Sequence, residues 1–108
     1  MELREASLLR VFFSEDDVYG EQPLYVALLR AAHDAKLAGA TALRGIGGYG
    51  PTSLQVKFFQ FRTEARPVVV EIIDSEAKVE AFLPTVAAMV ESGAITVEPI
   101  RFASTGHG

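Results

Sequence analysis

Segments typical of strands and helices alternate along this 108-residue chain. The strongest strand pattern is residues 67–74, where three consecutive valines favour a sheet over a helix. Further strands are predicted at 7–14, 40–46 and 94–102, and Pro99 suggests an edge position or a bulge for the last one. Two strand-helix-strand halves predict an α+β, ferredoxin-like βαββαβ sandwich. This fold is a four-stranded antiparallel sheet with two helices on one face, here with a long insertion between the second and third strands.

Helix boundaries can be placed from capping signals. The first helix is predicted to begin at Pro23, at the position where a helix tolerates proline best, and to stop before Gly39. The second helix is predicted to be capped by Asp74 or Ser75 and to end at Gly93. Apolar residues at helical spacing predict the buried stripes, namely Leu24, Leu28, Ala31 and Ala35 in the first helix and Val79, Phe82, Leu83, Val86, Met89 and Val90 in the second.

Composition limits the class of protein. The length predicts a single domain over residues 1–108, with a core at about 7–102 and a loose tail at 103–108. A net charge of −4, with Lys and Arg spread along the chain, argues against nucleic-acid binding. Cysteine is absent and no run approaches the roughly 18 apolar residues of a membrane span, so we expect a cytoplasmic protein without membrane insertion.

A glycine-rich segment follows the second predicted strand. Gly45, Gly47 and Gly50 fall on the G-x-G-x-x-G spacing of dinucleotide-binding loops. That motif holds a pyrophosphate only at the start of a helix, whereas here Pro51 and then strand-forming residues follow. A Rossmann domain also needs more strand-helix repeats than this chain can hold. We therefore interpret the glycines as a backbone bend or bulge that also permits close approach of a ligand.

The insertion contains apolar residues on both faces of its predicted hairpin. Leu54, Val56 and Phe58 alternate in one direction, and Phe59 and Phe61 in the other. Two helices can cover only one face of a four-stranded sheet, and each large apolar side chain left in water forfeits about 1.5–3 kcal/mol. The sequence therefore favours another copy of the same chain as the cover. The alternative is a hairpin folded back on its own sheet.

Four segments carry a resemblance to a known family: "LLRVFFSEDDVYGEQPLY", "AGATALRGIGGYG", "PVVVEIIDSEAKVEAFLP" and "MVESGAITVEPIRF". With them the chain resembles the prokaryotic domain-of-unknown-function 190 family, which is similar in fold to the PII (nitrogen regulatory) signal-transduction proteins. The resemblance covers about residues 8–102. It implies a ferredoxin-like fold, a homotrimer with inward-facing sheets, and an insertion equivalent to the PII T-loop.

The resemblance also implies a non-catalytic regulatory role. PII proteins bind ATP or ADP in clefts between subunits, and a glycine- and lysine-bearing loop before the last strand helps to hold the phosphates. The corresponding residues 91–99 contain one glycine and no basic residue, and Gln22 stands where the family commonly has a basic residue. The implied partners are a small effector, with a nucleotide as one candidate, and a regulated protein that senses the insertion.

The candidate ligand-binding residues flank the first helix and the glycine segment. Arg44 stands in a strand of small and apolar residues, so its charge needs a carboxylate or a bound anion. The acidic cluster at residues 15–17 has two possible roles: complementing the positive end of the first helix, or forming a ligand or cation site with Arg44. The candidates are Glu15, Asp16, Tyr19, Arg44, Gly45, Gly47, Gly48, Tyr49 and Gly50.

Other functions remain as alternatives. An enzyme acting on a nucleotide or another small anion could use Arg44 and the glycine amides, although no catalytic motif is present in the sequence. An RNA-binding sandwich could stack bases on the aromatics of residues 56–61, but the acidic charge opposes it. A metal-handling trimer, as in the copper-tolerance relatives of PII, lacks ligands, since His33 and His107 are isolated. No cofactor or metal is predicted.

Overall fold

The computed structural model describes residues 1–49 and 65–106. Its elements are β1 (Arg4–Ser14), β2 (Val18–Tyr19), β3 (Gln22–Pro23), α1 (Leu24–Asp34), β4 (Gly39–Arg44), β5 (Pro67–Asp74), α2 (Glu76–Met89) and β6 (Ala94–Phe102). β2 and β3 form a short hairpin of their own. The remaining strands and the two helices follow the predicted βαββαβ order.

The four long strands form one antiparallel sheet in the order β4-β5-β1-β6. Pro99 lies in β6, an edge strand as predicted, where a missing amide donor is tolerated. The predicted ferredoxin-like architecture is therefore confirmed. The insertion between β4 and β5 spans residues 45–66, and its predicted apolar hairpin lies outside the described residues.

One face of the sheet and both helices form a single hydrophobic core. Alternate residues of the central strands face the helices because successive strand residues point to opposite faces. Each fully buried side chain of this kind contributes about 1.5–3 kcal/mol relative to exposure. The core consists of Leu9, Val11, Phe13, Val68, Val70 and Ile72 from the sheet, Leu24, Ala27, Leu28 and Ala32 from α1, and Val79, Phe82, Val86 and Met89 from α2.

The boundaries of α1 differ from the prediction at both ends. Pro23 pairs with Val18 in the hairpin and serves as the N-cap, so the helix proper begins at Leu24. It ends at Asp34, well before Gly39. Ala35 is consequently exposed rather than part of the buried stripe. Neither α1 nor α2 is long and apolar enough to cross a membrane, as far as the described residues extend.

Lys36 explains the early end of α1. It has a positive φ of 62°, the left-handed conformation that commonly terminates helices. The amide of Lys36 donates to the His33 carbonyl at 3.0 Å, and the amide of Leu37 donates to the Ala32 carbonyl at 3.1 Å. These two bonds form a Schellman motif with a lysine at the position that usually favours glycine.

The start of α2 holds the end of α1 in place. Ser75 caps α2, as predicted, by accepting a hydrogen bond from the Lys78 amide at 3.3 Å. The Asp74 carboxylate accepts from the amides of Ser75 at 2.6 Å and Ala38 at 2.8 Å. The Lys78 ammonium donates to the Lys36 carbonyl at 2.6 Å. Although desolvation raises the pKa of Asp74, these amide donors and Lys78 hold it below its ordinary value.

The other face of the sheet is open, and an apolar row crosses it. Phe12 of β1 is paired with Val69 of β5, which is paired with Leu43 of β4. Phe12 is 36% exposed and Leu43 is 49% exposed. No element among the described residues covers this row, because α1 and α2 both pack on the opposite face.

Replacing Lys36 with glycine should stabilise the protein. Glycine adopts positive φ without the steric cost that a Cβ atom imposes, so Lys36→Gly should raise the free energy of unfolding by about 1 kcal/mol. Ala35→Gly is the matched control: Ala35 has a φ of −81°, where glycine brings no relief, and this variant should be less stable than wild type. Urea denaturation at one fixed protein concentration measures the stability of both variants. A Lys36→Gly protein no more stable than wild type would contradict the left-handed conformation of Lys36.

Candidate functional site

Strand register brings the two ends of the insertion together. In β5, Pro67 is paired with Ser14 and Val68 is paired with Arg44. The residue after Ser14 is Glu15, whose amide donates to the Arg66 carbonyl at 2.8 Å. The start of β5 therefore places the first loop of the chain beside the end of β4.

Arg44 and Glu15 form an ion pair at this junction. The Arg44 Nε lies 3.0 Å from Glu15 Oε2, and the Arg44 Nη2 donates to the same oxygen. Glu15 Oε1 is buried and has no hydrogen-bond partner among the described residues. One carboxylate oxygen thus takes both guanidinium bonds, unlike the two-oxygen fork that arginine and carboxylates commonly form.

The ion pair shifts both pKa values in the expected directions. The Arg44 guanidinium lowers the pKa of Glu15, and Arg66 adds a smaller lowering effect, against the opposing effect of desolvation. Glu15 raises the pKa of Arg44, and Tyr25 on α1 adds to that effect. The Arg44 side chain is 61% exposed and that of Glu15 is 24% exposed. Arg44 therefore carries a positive charge that remains accessible from solvent.

The first glycine after β4 is required by close packing. The Gly45 amide donates to the Pro67 carbonyl at 2.7 Å. A Cβ atom at residue 45 would lie 2.9 Å from Pro67 Cγ, which is closer than real Cβ contacts allow. Gly48 has a φ of 150°, which disfavours residues with a side chain. The interpretation of this segment as a glycine-dependent bend is consistent with both positions.

Arg66 is the residue of this site that the sequence did not single out. Its Nη1 donates to the Ile46 carbonyl at 3.3 Å, and its carbonyl accepts the Glu15 amide. Arg66 therefore connects the loop after β1 with the first residues of the insertion. Its only sequence signal is its position immediately before the Pro67 strand, which carries no information about the partner across the sheet.

The acidic cluster divides into different roles. The Asp17 carboxylate accepts the Ser14 amide at 3.0 Å, and the Asp17 carbonyl accepts the Leu24 amide at 2.8 Å. The contact with the start of α1 is thus made by a main-chain carbonyl, whereas one of the two roles predicted from the sequence gave it to the carboxylates. Asp16 is exposed, and its amide donates to Ser14 Oγ at 3.2 Å. Only Glu15 of the cluster reaches Arg44.

The structure brings together some of the predicted residues and separates others. Glu15, Arg44 and Gly45 meet at the start of β5, and Gly47 and Gly48 follow in the same segment. Tyr19 lies elsewhere, in a groove of about 540 Å³ between α1 and α2 that none of the other candidates lines. Tyr49 is 81% exposed, and Gly50 lies outside the described residues.

Metal-ligating side chains are not clustered in the described part of the chain. Residues 1–49 and 65–106 contain no group of three or more His, Cys, Asp or Glu side chains that could hold an ion. The His33 side chain is 91% exposed on α1, and His107 lies outside the described residues.

Comparison with known sequences gives one family match and several relatives. The DUF190 family model, described as an uncharacterized ACR, matches residues 6–102. A UPF0166 protein from Aquifex aeolicus is 42% identical over 103 residues, which cover 94% of this chain and 96% of the relative. A UPF0166 protein from Methanocaldococcus jannaschii is 24% identical, over 86% of each chain.

Solved structures show a similar fold. A protein from Thermus thermophilus, described as a PII-like signaling protein, has a TM-score of 0.61 at 18% identity, over 94% of this chain and 93% of that chain. CPII from Thiomonas intermedia, bound to ADP, AMP and acetate, has a TM-score of 0.55 at 16% identity, over 96% and 94%. At such identities the likeness concerns the fold, which is PII-like.

Gly45→Ala should destabilise the junction. Relief of the overlap with Pro67 Cγ requires the Gly45 amide to move away from the Pro67 carbonyl, so we expect a loss of about 1–3 kcal/mol in the free energy of unfolding. Gly47→Ala is the control, because no described atom lies within 4 Å of the place that a Cβ atom would take there, and its effect should stay within about 0.5 kcal/mol. Chemical denaturation and amide hydrogen exchange at residue 45 measure the difference; equal effects of the two variants would refute the packing argument.

Proposed function

Because the chain belongs to the DUF190 family, we propose that it is a non-catalytic, PII-like regulatory protein that acts as a homotrimer. It binds a small anionic effector, in the first instance an adenine nucleotide, in the clefts between subunits. Occupancy is passed to a protein partner through the insertion between β4 and β5. The family and the fold implied by the sequence resemblance are confirmed; the assembly, the effector and the partner are the content of this proposal.

The accessible guanidinium of Arg44 is the observation that carries the proposal. Arg44 is the last residue of β4 and directly precedes Gly45, the first residue of the insertion. Its side chain is 61% exposed. A guanidinium binds phosphate oxygens through several N–H donors in a fixed plane. The Gly45 amide is already bonded to the Pro67 carbonyl, but Gly47 and Gly48 are exposed and let a ligand approach the main chain closely. The junction is therefore suited to a phosphate or a similar anion.

The insertion is fixed at both ends by contacts of this same junction. Gly45 is bonded to Pro67, and Arg66 is bonded to both Glu15 and Ile46. A ligand that binds Arg44 would change the surroundings of these bonds. Ordering or release of a loop by such a change is a common switching mechanism.

The open face of the sheet supports assembly with copies of the same chain. The apolar row of Phe12, Val69 and Leu43 lacks a cover among the described residues, and exposed apolar surface of this kind typically marks an interface. The next row is charged: Arg10 bonds to Glu71 at 2.9 Å and to Glu98. Each charge of this row lies beside an opposite charge, and the row as a whole carries a net charge of −1.

Light scattering tests the assembly. Wild type should have a mass of about 35 kDa at micromolar concentration, three times the 11.7 kDa protomer. Leu43→Glu places a charge in the apolar row and should shift the mass towards the protomer. Val18→Glu is the matched control, since Val18 is an exposed apolar strand residue in the separate β2–β3 hairpin, and it should leave the mass unchanged. A wild-type protein that remains a protomer at high concentration would disprove the homotrimer.

Calorimetry with ADP tests the effector site. Arg44→Gln removes the charged donors and should weaken ADP binding about tenfold or more, because hydrogen bonds to charged groups are the strong ones in a ligand site. Arg30→Gln is the control: it makes the same change of charge on the exposed surface of α1, in the groove that Tyr19 lines. Weaker binding in Arg30→Gln, with wild-type binding in Arg44→Gln, would move the site to that groove.

A further inference from the structure

The position of Glu15 indicates more than a structural ion pair. Its carboxylate occupies the edge of the Arg44 guanidinium that an anionic ligand would also use. A carboxylate paired with a guanidinium in this way is chemically similar to a phosphate group in the same place.

The pairing is also incomplete. Glu15 Oε2 receives both bonds from Arg44, while the buried Oε1 has no hydrogen-bond partner in residues 1–49 and 65–106. A buried acceptor without a donor is unfavourable relative to one that is hydrogen-bonded. A phosphate presents more oxygens to the same guanidinium and can use a two-oxygen fork, so it can compete with this carboxylate.

We infer that Glu15 is a built-in competitor at Arg44: its carboxylate occupies the anion site in the free protein and is displaced when the phosphate of a ligand binds. The inference rests on the proposed function and adds the ligand chemistry and its regulation. Because the Glu15 amide also bonds to Arg66, displacement of the side chain acts directly on the end of the insertion.

Glu15→Gln tests the inference. The amide is neutral and competes less well, so calorimetry should show ADP binding about three- to fivefold tighter than in wild type, in keeping with the strength of exposed ion pairs. Pyrophosphate is a second probe that separates recognition of the phosphates from recognition of the nucleoside. Glu15→Gln should tighten the binding of pyrophosphate by a similar factor. Glu80→Gln changes the net charge equally at an exposed position of α2 and should bind both probes as wild type does.

A double-variant cycle separates displacement from a general loss of negative charge. If Glu15 competes for Arg44, the gain should disappear when Glu15→Gln is added to Arg44→Gln. A gain that persists without Arg44 would overturn the inference in favour of a long-range electrostatic effect. Should Glu15→Gln fail to fold, Glu15→Asp keeps the charge, shortens the side chain, and should also tighten binding.

The outcomes distinguish this inference from the proposed function. If wild type binds ADP and Glu15→Gln binds equally or more weakly, Glu15 is not a competitor, and the effector site stands. If neither protein binds ADP or pyrophosphate, both the inference and the proposed nucleotide effector are wrong.

Discussion

The antiparallel pairing of β1 with β5 is the interaction on which the remaining structure depends. Its register places Val11 opposite Val70 in the core and Ser14 opposite Pro67 at the end of the pair. β4 pairs with the other edge of β5, where Arg44 lies opposite Val68, the residue after Pro67. A slip of one residue would reverse the faces of the strand, exposing the valines of the core and separating Arg44 from Glu15. The same register therefore determines both which side chains enter the core and the geometry of the candidate site.

The two ends of the insertion take their positions from that pairing. Its first residue, Gly45, and its last, Arg66, lie on either side of the start of β5, and each is bonded to main-chain groups. The close approach of Gly45 to Pro67 leaves no room for a Cβ atom. The spacing of these glycines matches a pyrophosphate loop, but the absence of a following helix predicts a bend instead, and the structure shows Gly45 packed against Pro67 at the base of the insertion.

Much of the fold follows from local patterns, whereas the site depends on contacts distant in sequence. The valines of residues 67–74 and the Ser75 cap predict their elements correctly because each rests on neighbouring residues. The end of α1 is not predicted correctly from local patterns. Lys36 takes a conformation that its residue type disfavours, and the contact with Lys78 helps to hold it there. Tyr19 was grouped with Glu15 because they are close in sequence, but the short hairpin carries it to the groove between the helices. Arg66 was missed because its partners lie far along the chain.

The two proposed interaction surfaces meet in consecutive residues of one strand. Leu43 is paired with Val69 on the open face, and Arg44 is paired with Val68 on the face that the helices cover. Alternation of side chains along a strand makes this separation unavoidable. In the proposed trimer, a shift of β4 that adjusts Leu43 against a neighbouring subunit would also move Arg44 relative to Glu15. The proposed interface and the proposed anion site would then be coupled through adjacent residues of one strand.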